Sequence, residues 1–211
     1  MTLDFLRQLF LDDPATTIKT GLRFVHFIAL ALGLGGATLL DLMLFRFFLC
    51  RRIGHETFSV FLFSTRIIDN GLRVLWLSGI GFLIFYAMTD VAKLANPKVH
   101  AKFVIVTILT LNGIFIHRYI LPTLQGQVGR ALFDGFTASQ RAVFVVSASV
   151  SVVSWYVPVA LGVFSQLNNT VPALTILSVY LLMILLAIVV MNLVTRLACP
   201  SVEKPTLIPG E

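Results

Sequence analysis

The chain has 211 residues, of which 57% are hydrophobic and 12% charged, and its mean hydropathy is +0.92. Soluble domains are about 45–50% apolar and about 25% charged, so the composition excludes a water-soluble fold. The net charge of +6 indicates basic loops beside a membrane rather than nucleic-acid binding, because no DNA- or RNA-binding motif accompanies it.

The N-terminal segment is predicted to lie on the membrane surface. Leucines recur at helical spacing within residues 2–11, and the run breaks before Pro14. The segment lacks the basic start and apolar stretch of a signal peptide, so we expect it to be retained. Residues 1–20 are therefore assigned to an interfacial segment, with Thr16 or Thr17 as the N-cap of the helix that follows.

Five apolar stretches are long enough to cross a bilayer core, which takes about 20 residues. They are predicted at residues 22–49, 71–88, 100–121, 142–164 and 173–197. Residues 21–198 thus form one all-α transmembrane domain, a bundle of five helices with a four-helix core plus a fifth. Residues 53–68 are either interfacial or the continuation of a long helix, and residues 199–211 form a short tail that we expect to be disordered.

The two cysteines, Cys50 and Cys199, have neither the spacing of a disulfide framework nor that of a zinc site. Both are expected to be free thiols.

An odd number of spans places the two termini on opposite sides of the membrane. Side A, where the first span begins, carries six basic residues: Arg7, Lys19, Arg23, Lys93, Lys98 and Lys102. Side B carries ten: Arg46, Arg51, Arg52, Arg66, Arg73, Arg118, Arg130, Arg141, Arg196 and Lys204. The positive-inside rule therefore predicts an outside N-terminus and a cytoplasmic C-terminus.

Ionisable residues within a span are costly, so each suggests a function. His26 lies about one turn inside the first span and is followed on the same face by Ala29, Gly33 and Ala37. This stripe of small residues can receive a flat ligand coordinated by His26, or it can be a seam that packs against another helix. His100 begins the third span at a similar depth, and two imidazoles on neighbouring helices suit a six-coordinate haem iron. His100 can also simply reach the headgroups.

The other polar residues have plainer interpretations. Lys102 points about 160° away from His100, so only one of the two can face a site. His117 lies about 25 Å along the helix from His100, so the two cannot share one site. His117 is expected either to pair with His55 in a second haem site or to anchor the helix at the interface. Asp41 is expected to form an ion pair with Arg46 or Arg73, and Asn112 a hydrogen bond between helices or to a bound ring.

Two of the spans resemble those of a known family. The run FVHFIALALGLGGATLLDLMLFR, residues 24–46, resembles the first helix of HemJ-type protoporphyrinogen oxidases and their CopD-like relatives. The run PKVHAKFVIVTILTLNGIFIHR, residues 97–118, resembles their third helix. The resemblance implies a four-helix membrane bundle that binds haem b, with His26 and Lys102 at positions important for activity. The chain departs from the family in its fifth span and in Asn112, where the family often has His.

The leading hypothesis is a haem b-binding integral membrane redox protein that transfers electrons or oxidises a porphyrinogen. His26 and His100 are then the axial ligands, Gly33 and Asn112 contact the ring, and Lys102 lies near a propionate or substrate carboxylate as a candidate catalytic residue. The protein supplies ligation, orientation and a low dielectric.

Two alternatives remain open at this point. One is a CopD-like copper or small-solute transport protein, with His26, His100 and Met88 as ligands. The other is a membrane assembly or scaffold subunit whose histidines are structural. The expected partners are the lipid bilayer and a redox partner or quinone, with homo-oligomerisation left open and no nucleic acid. The expected location is the bacterial inner membrane.

Overall fold

The structure, a computed structural model, describes residues 13–48 and 54–198. This part of the chain is built from helices: α1 Pro14–Phe48, α2 His55–Thr89, α3 Pro97–Phe115, α4 Leu121–Gly126, α5 Ala138–Val163 and α6 Ala173–Ala198. A π-helical turn, Ile116–Ile120, joins α3 to α4, so that Pro97–Gly126 is continuous. Five helices of the described chain are therefore long and apolar enough to span a membrane, which confirms the predicted all-α membrane bundle.

The helix boundaries refine the predicted spans. Residues 53–68 had two interpretations, and the second is the correct one, because α2 runs without a break through His55–Thr89. The N-cap of α1 is neither Thr16 nor Thr17: the carboxylate of Asp13 accepts a hydrogen bond from the Thr16 backbone N–H at 3.0 Å. Asp is a preferred cap, and Pro14 next to it suits the first position of a helix.

Several predictions concern residues outside the described part of the chain. They are the interfacial helix at residues 2–11, the free thiols of Cys50 and Cys199, and the tail at residues 199–211.

The helices fall into two groups. In the first, α1 and α2 pack along each other, and in the second, α3, α5 and α6 pack together. The core of the second group includes Ala101 and Ile105 of α3, both fully buried, with Tyr180 of α6. Trp155 of α5 is 4% exposed and packs against Ala37 of α1, which joins the groups.

Side-chain hydrogen bonds fix these helix pairs. In a bilayer such bonds help to hold helices together, because lipid tails compete for apolar contacts but offer no polar partners. The pairs are Thr38 with Tyr156 at 2.9 Å, Trp76 with Thr110 at 2.9 Å, and Ser154 with Tyr180 at 2.8 Å. They join α1 to α5, α2 to α3, and α5 to α6.

Candidate functional site

The stripe of small residues after His26 is a helix-packing seam. A Cβ atom placed on Gly71 of α2 would lie 2.7 Å from the Gly33 backbone nitrogen, and one placed on Gly33 would lie 2.5 Å from the Trp155 ring. Ala29 is 1% exposed and Ala37 is 4% exposed. Neighbouring helices thus occupy this face, and Gly33 does not form the expected surface for a flat ring.

His26 is held in one orientation by α2. Its Nδ1 lies 2.8 Å from the Ser78 hydroxyl, and its ring stands edge-on to Phe82 with ring centres 5.7 Å apart. The Ser78 hydroxyl also lies 2.7 Å from the Val74 carbonyl oxygen. When the hydroxyl proton is donated to that carbonyl, Ser78 accepts a hydrogen bond from His26 Nδ1–H and Nε2 keeps its lone pair; when it is donated to Nδ1, the tautomer is the opposite one. The first arrangement is the one in which a metal-ligating histidine is commonly oriented.

The inner face of α3 carries two lysines. Lys98 is 5% exposed and Lys102 is half-buried, and they lie four residues apart beside the fully buried Ala101 and Ile105. His100 lies on the opposite side of the helix and is exposed. Lys102, rather than His100, thus faces the interior.

No carboxylate of the described chain pairs with these lysines. Lys98 Nζ donates a hydrogen bond to the Phe164 backbone carbonyl at 2.7 Å, and Lys102 Nζ makes no hydrogen bond or ion pair with a described residue. The two ammonium groups act on each other electrostatically, and Lys102 also acts on His26. Two like charges this close raise the local positive potential, which an anionic ligand would relieve.

Of the two candidates on α3, Lys102 acts electrostatically on His26. His100 is exposed on the other side of α3. The ligation of a haem iron by His26 and His100 stays a prediction. We call His26, Ser78, Lys98 and Lys102 the lysine site.

A second group of ionisable residues lies further toward side B. His117 Nε2 is 2.8 Å from Asp69 Oδ2, which joins α2 to the π-helical turn. His55 is the first residue of α2, about 21 Å along that helix from Asp69 at about 1.5 Å per residue. Of the two interpretations of His117, the pairing with His55 is therefore excluded by distance, and His117 instead contacts the Asp69 carboxylate.

The π-helical turn has an identifiable cause. Pro122 follows it and cannot donate a hydrogen bond to the carbonyl four residues earlier. The chain widens by one residue instead, and the Leu121 N–H bonds the Ile116 carbonyl. Such turns are frequent at functional sites because they re-aim side chains. Here the π-helical turn contains His117, whose Nε2 lies 2.8 Å from Asp69 Oδ2.

Asn112 joins α3 to α5. Its amide donates a hydrogen bond to the Ser147 carbonyl at 3.0 Å, and the Ser147 hydroxyl donates one to the Asn112 side-chain oxygen at 3.0 Å. Of the two expectations for Asn112, the structure contains the hydrogen bond between helices.

Asp41 does not form the expected ion pair. Arg46 is exposed, and Arg73 donates a hydrogen bond to the Asn70 side chain at 3.4 Å. Asp41 makes no hydrogen bond or ion pair with any described residue. Its helix presents it, with Ala37 and Leu40, to the space between the two helix groups.

That space is a small cavity of about 90 Å³ that is partly open to the outside of the bundle. Its walls are mainly apolar and come from α1, α2, α3 and α5. Its ionisable lining consists of Asp41, Asp69 and His117. We call it the Asp41 cavity.

The described residues include no group of three or more His, Cys, Asp or Glu side chains that could hold a metal ion. Met88, a possible soft ligand in the copper alternative, is 81% exposed at the end of α2. Comparison of the chain with family models, with curated proteins and with solved structures gives no match. The resemblance to the HemJ-type enzymes thus stays a prediction.

Two features of these sites have signals in the sequence. Lys98, Ala101, Lys102 and Ile105 recur at helical spacing and mark the inner face of α3. Asp69 lies near the middle of α2, at the depth of His117, once residues 53–68 are assigned to the same helix.

Proposed function

We propose that this protein is a b-type haem-binding redox protein of the membrane, with the haem at the lysine site. One observation supports this most strongly: His26 Nδ1 lies 2.8 Å from the Ser78 hydroxyl, which in the Nδ1–H tautomer leaves the Nε2 lone pair for a metal. Lys102, which acts electrostatically on His26, has no carboxylate partner among the described residues. The lone pair suits a metal and the lysine suits an anion, and haem offers both an iron and two carboxylates.

Each residue of the lysine site then has a role. His26 would hold the iron through Nε2, and Ser78 would fix the plane of the imidazole. Lys102 would attract a carboxylate of the ring system or of a porphyrinogen substrate. Lys98 would add positive charge and keep its hydrogen bond to the Phe164 carbonyl. His100 and Gly33 have no part in this arrangement.

Bound haem would supply one-electron redox chemistry. The site lies on apolar helices, and Ser78 and Phe82 orient the imidazole. A donor such as a quinol or a porphyrinogen is the expected redox partner, and copper is the alternative metal for the His26 nitrogen.

The experiment compares two His→Ala substitutions for haem content after purification in one detergent. His26→Ala should lose the Soret band. His100→Ala removes an exposed imidazole of the same chemistry and should keep it. Full haem content in His26→Ala would refute the proposal, as would equal loss in both variants.

We also propose that side B is cytoplasmic in a bacterial inner membrane, since it carries the larger number of basic residues. Ser165 lies on side A and Ser139 on side B, and both are exposed. After Cys50 and Cys199 are replaced by serine, a membrane-impermeant maleimide applied to intact cells should label Ser165→Cys and spare Ser139→Cys. The opposite pattern would invert the topology.

A further inference from the structure

The Asp41 cavity has the size of a site for water rather than for a larger ligand. Its volume is about 90 Å³, and a water molecule takes up about 30 Å³ in the liquid, so the cavity has room for about three. A buried water also needs polar partners, two to four of them. The mainly apolar walls supply them through Asp41, Asp69, Asn112, His117 and Ser151.

Two of these side chains have polar atoms that no described residue occupies. Asp41 makes no hydrogen bond or ion pair with a described residue, and neither does the Ser151 hydroxyl. The others are engaged: His117 Nε2 lies 2.8 Å from Asp69 Oδ2, and the Asn112 side chain is bonded to α5. The Asp41 carboxyl and the Ser151 hydroxyl are therefore the open partners for water in the cavity.

The charges that face Asp41 favour its neutral form. The ionisable lining besides Asp41 consists of Asp69 from α2 and His117 from the π-helical turn, whereas α3 and α5 contribute uncharged side chains. With both carboxyls ionised, the cavity would hold two negative charges and at most one positive charge, a His117 imidazolium. An isolated ionised carboxylate among apolar helices is far costlier than the neutral acid. A proton on Asp41 removes the excess charge and lets the carboxyl both donate to water and accept from it.

From the water-sized volume, the free carboxyl and the free hydroxyl together, we infer that the Asp41 cavity is a hydrated proton-binding site. Asp41 carries the proton, and Ser151 helps to hold the water beside it. The carboxyl O–H bond breaks as water supplies another proton to the same group, so exchange leaves the charge of the cavity unchanged. The cavity is partly open to the outside of the bundle, which gives water a route to it. The inference goes beyond the proposed redox function and does not depend on it.

The test is infrared spectroscopy of the purified full chain at neutral pH, in a detergent that has no carbonyl group. A protonated carboxyl has a C=O stretching band above the amide bands, where ionised carboxylates do not absorb. The wild type should show this band, and transfer into D₂O should move it to lower wavenumber because water exchanges the proton. Asp41→Asn should lose the band.

The matched control is Asp90→Asn, which removes a carboxylate that pairs with Lys93 at 2.7 Å. This variant should keep the band. The inference is overturned if the wild type has no such band, a result that requires no variant to fold. It is also overturned if Asp41→Asn keeps the band, if Asp90→Asn loses it equally, or if D₂O leaves its position unchanged.

A second pair of variants tests the water itself. Ser151→Val removes the free hydroxyl and fills part of the cavity, so Asp41 loses hydrogen bonds to water and its band should move to higher wavenumber. Ser178→Val makes the same change at an exposed position of α6, outside the cavity lining, and should leave the band in place. No shift in Ser151→Val, or an equal shift in both variants, overturns the inference.

Discussion

The contact between α1 and α2 at Gly71 allows a quantitative test of the fold. A Cβ atom on Gly71 would lie 2.7 Å from Gly33 N, 2.9 Å from Gly33 Cα and 3.0 Å from the Ala29 carbonyl oxygen. Ordinary contacts begin at 3.4 Å, so Gly71→Ala requires the helices to separate locally by 3.4 − 2.7, or about 0.7 Å. All three atoms belong to the backbone, so no side-chain rotation can relieve the clash.

The energy of this clash can be isolated with Gly79→Ala in the same helix. No atom lies within 4 Å of a Cβ at Gly79, so this control gains only the higher helix propensity of Ala, about 1 kcal/mol. Gly71→Ala gains the same propensity and loses about 1–3 kcal/mol to overpacking. The difference between the two variants should therefore be about 1–3 kcal/mol, or several degrees in Tm.

The assay is thermal unfolding of both variants in one detergent, followed by circular dichroism at 222 nm. Gly71→Ala should unfold below the wild type or near it, and clearly below Gly79→Ala. If both alanine variants unfold at the same temperature, the close seam between α1 and α2 is absent and the reasoning is refuted.

Three further predictions concern side-chain hydrogen bonds. Ser78→Ala should weaken haem binding about 10–100-fold by freeing the His26 ring, whereas Ser78→Thr should retain it, as measured by haem titration. Asn112→Ala should lower the free energy of unfolding by about 1–3 kcal/mol through its lost bonds to α5, and an unchanged Tm would contradict this. The Thr16 donors hold the pKa of the Asp13 carboxyl below its ordinary value. This cap therefore stabilises α1 above the ordinary pKa of about 3.9 and is lost as the pH falls through the folded value. An NMR titration should show the Asp13 pKa rising in Thr16→Val, which removes the hydroxyl donor.

Hydropathy predicted the five spans correctly because bilayer thickness sets both the length and the composition of a membrane helix. It failed for the first half of α2, where Ser64 and Thr65 look like the end of a span. In the structure these hydroxyls donate to carbonyls of their own helix, Val60 at 2.9 Å and Leu62 at 2.8 Å. Their polarity is satisfied within the helix, so they do not require an interface.

The error in that one helix boundary also concealed the contact between Asp69 and His117. With residues 53–68 left outside the second span, Asp69 is a loop residue and has no reason to meet His117. In the continuous helix it lies within the bundle, at the depth of the π-helical turn. A second span that begins at residue 71 therefore leaves out Asp69, the residue that contacts His117.

The choice between His100 and Lys102 shows a different limit. Helical geometry requires that only one of them face the interior, but it gives no rule for which one. A charged lysine is the costlier residue to bury, which favours His100 on transfer energies alone. The packing of Ala101 and Ile105 against α5 and α6 instead turns Lys102 inward. Tertiary packing decided the orientation, and a single helix does not contain that information.

The most direct test of the central claim is a dithionite-reduced minus oxidised visible spectrum of the wild-type protein, purified in detergent from cells supplied with ample haem. We expect a Soret shift and a sharp α band typical of b-type haem, bound in proportion to protein. A flat spectrum from folded, haem-supplied protein would contradict a redox role for the lysine site.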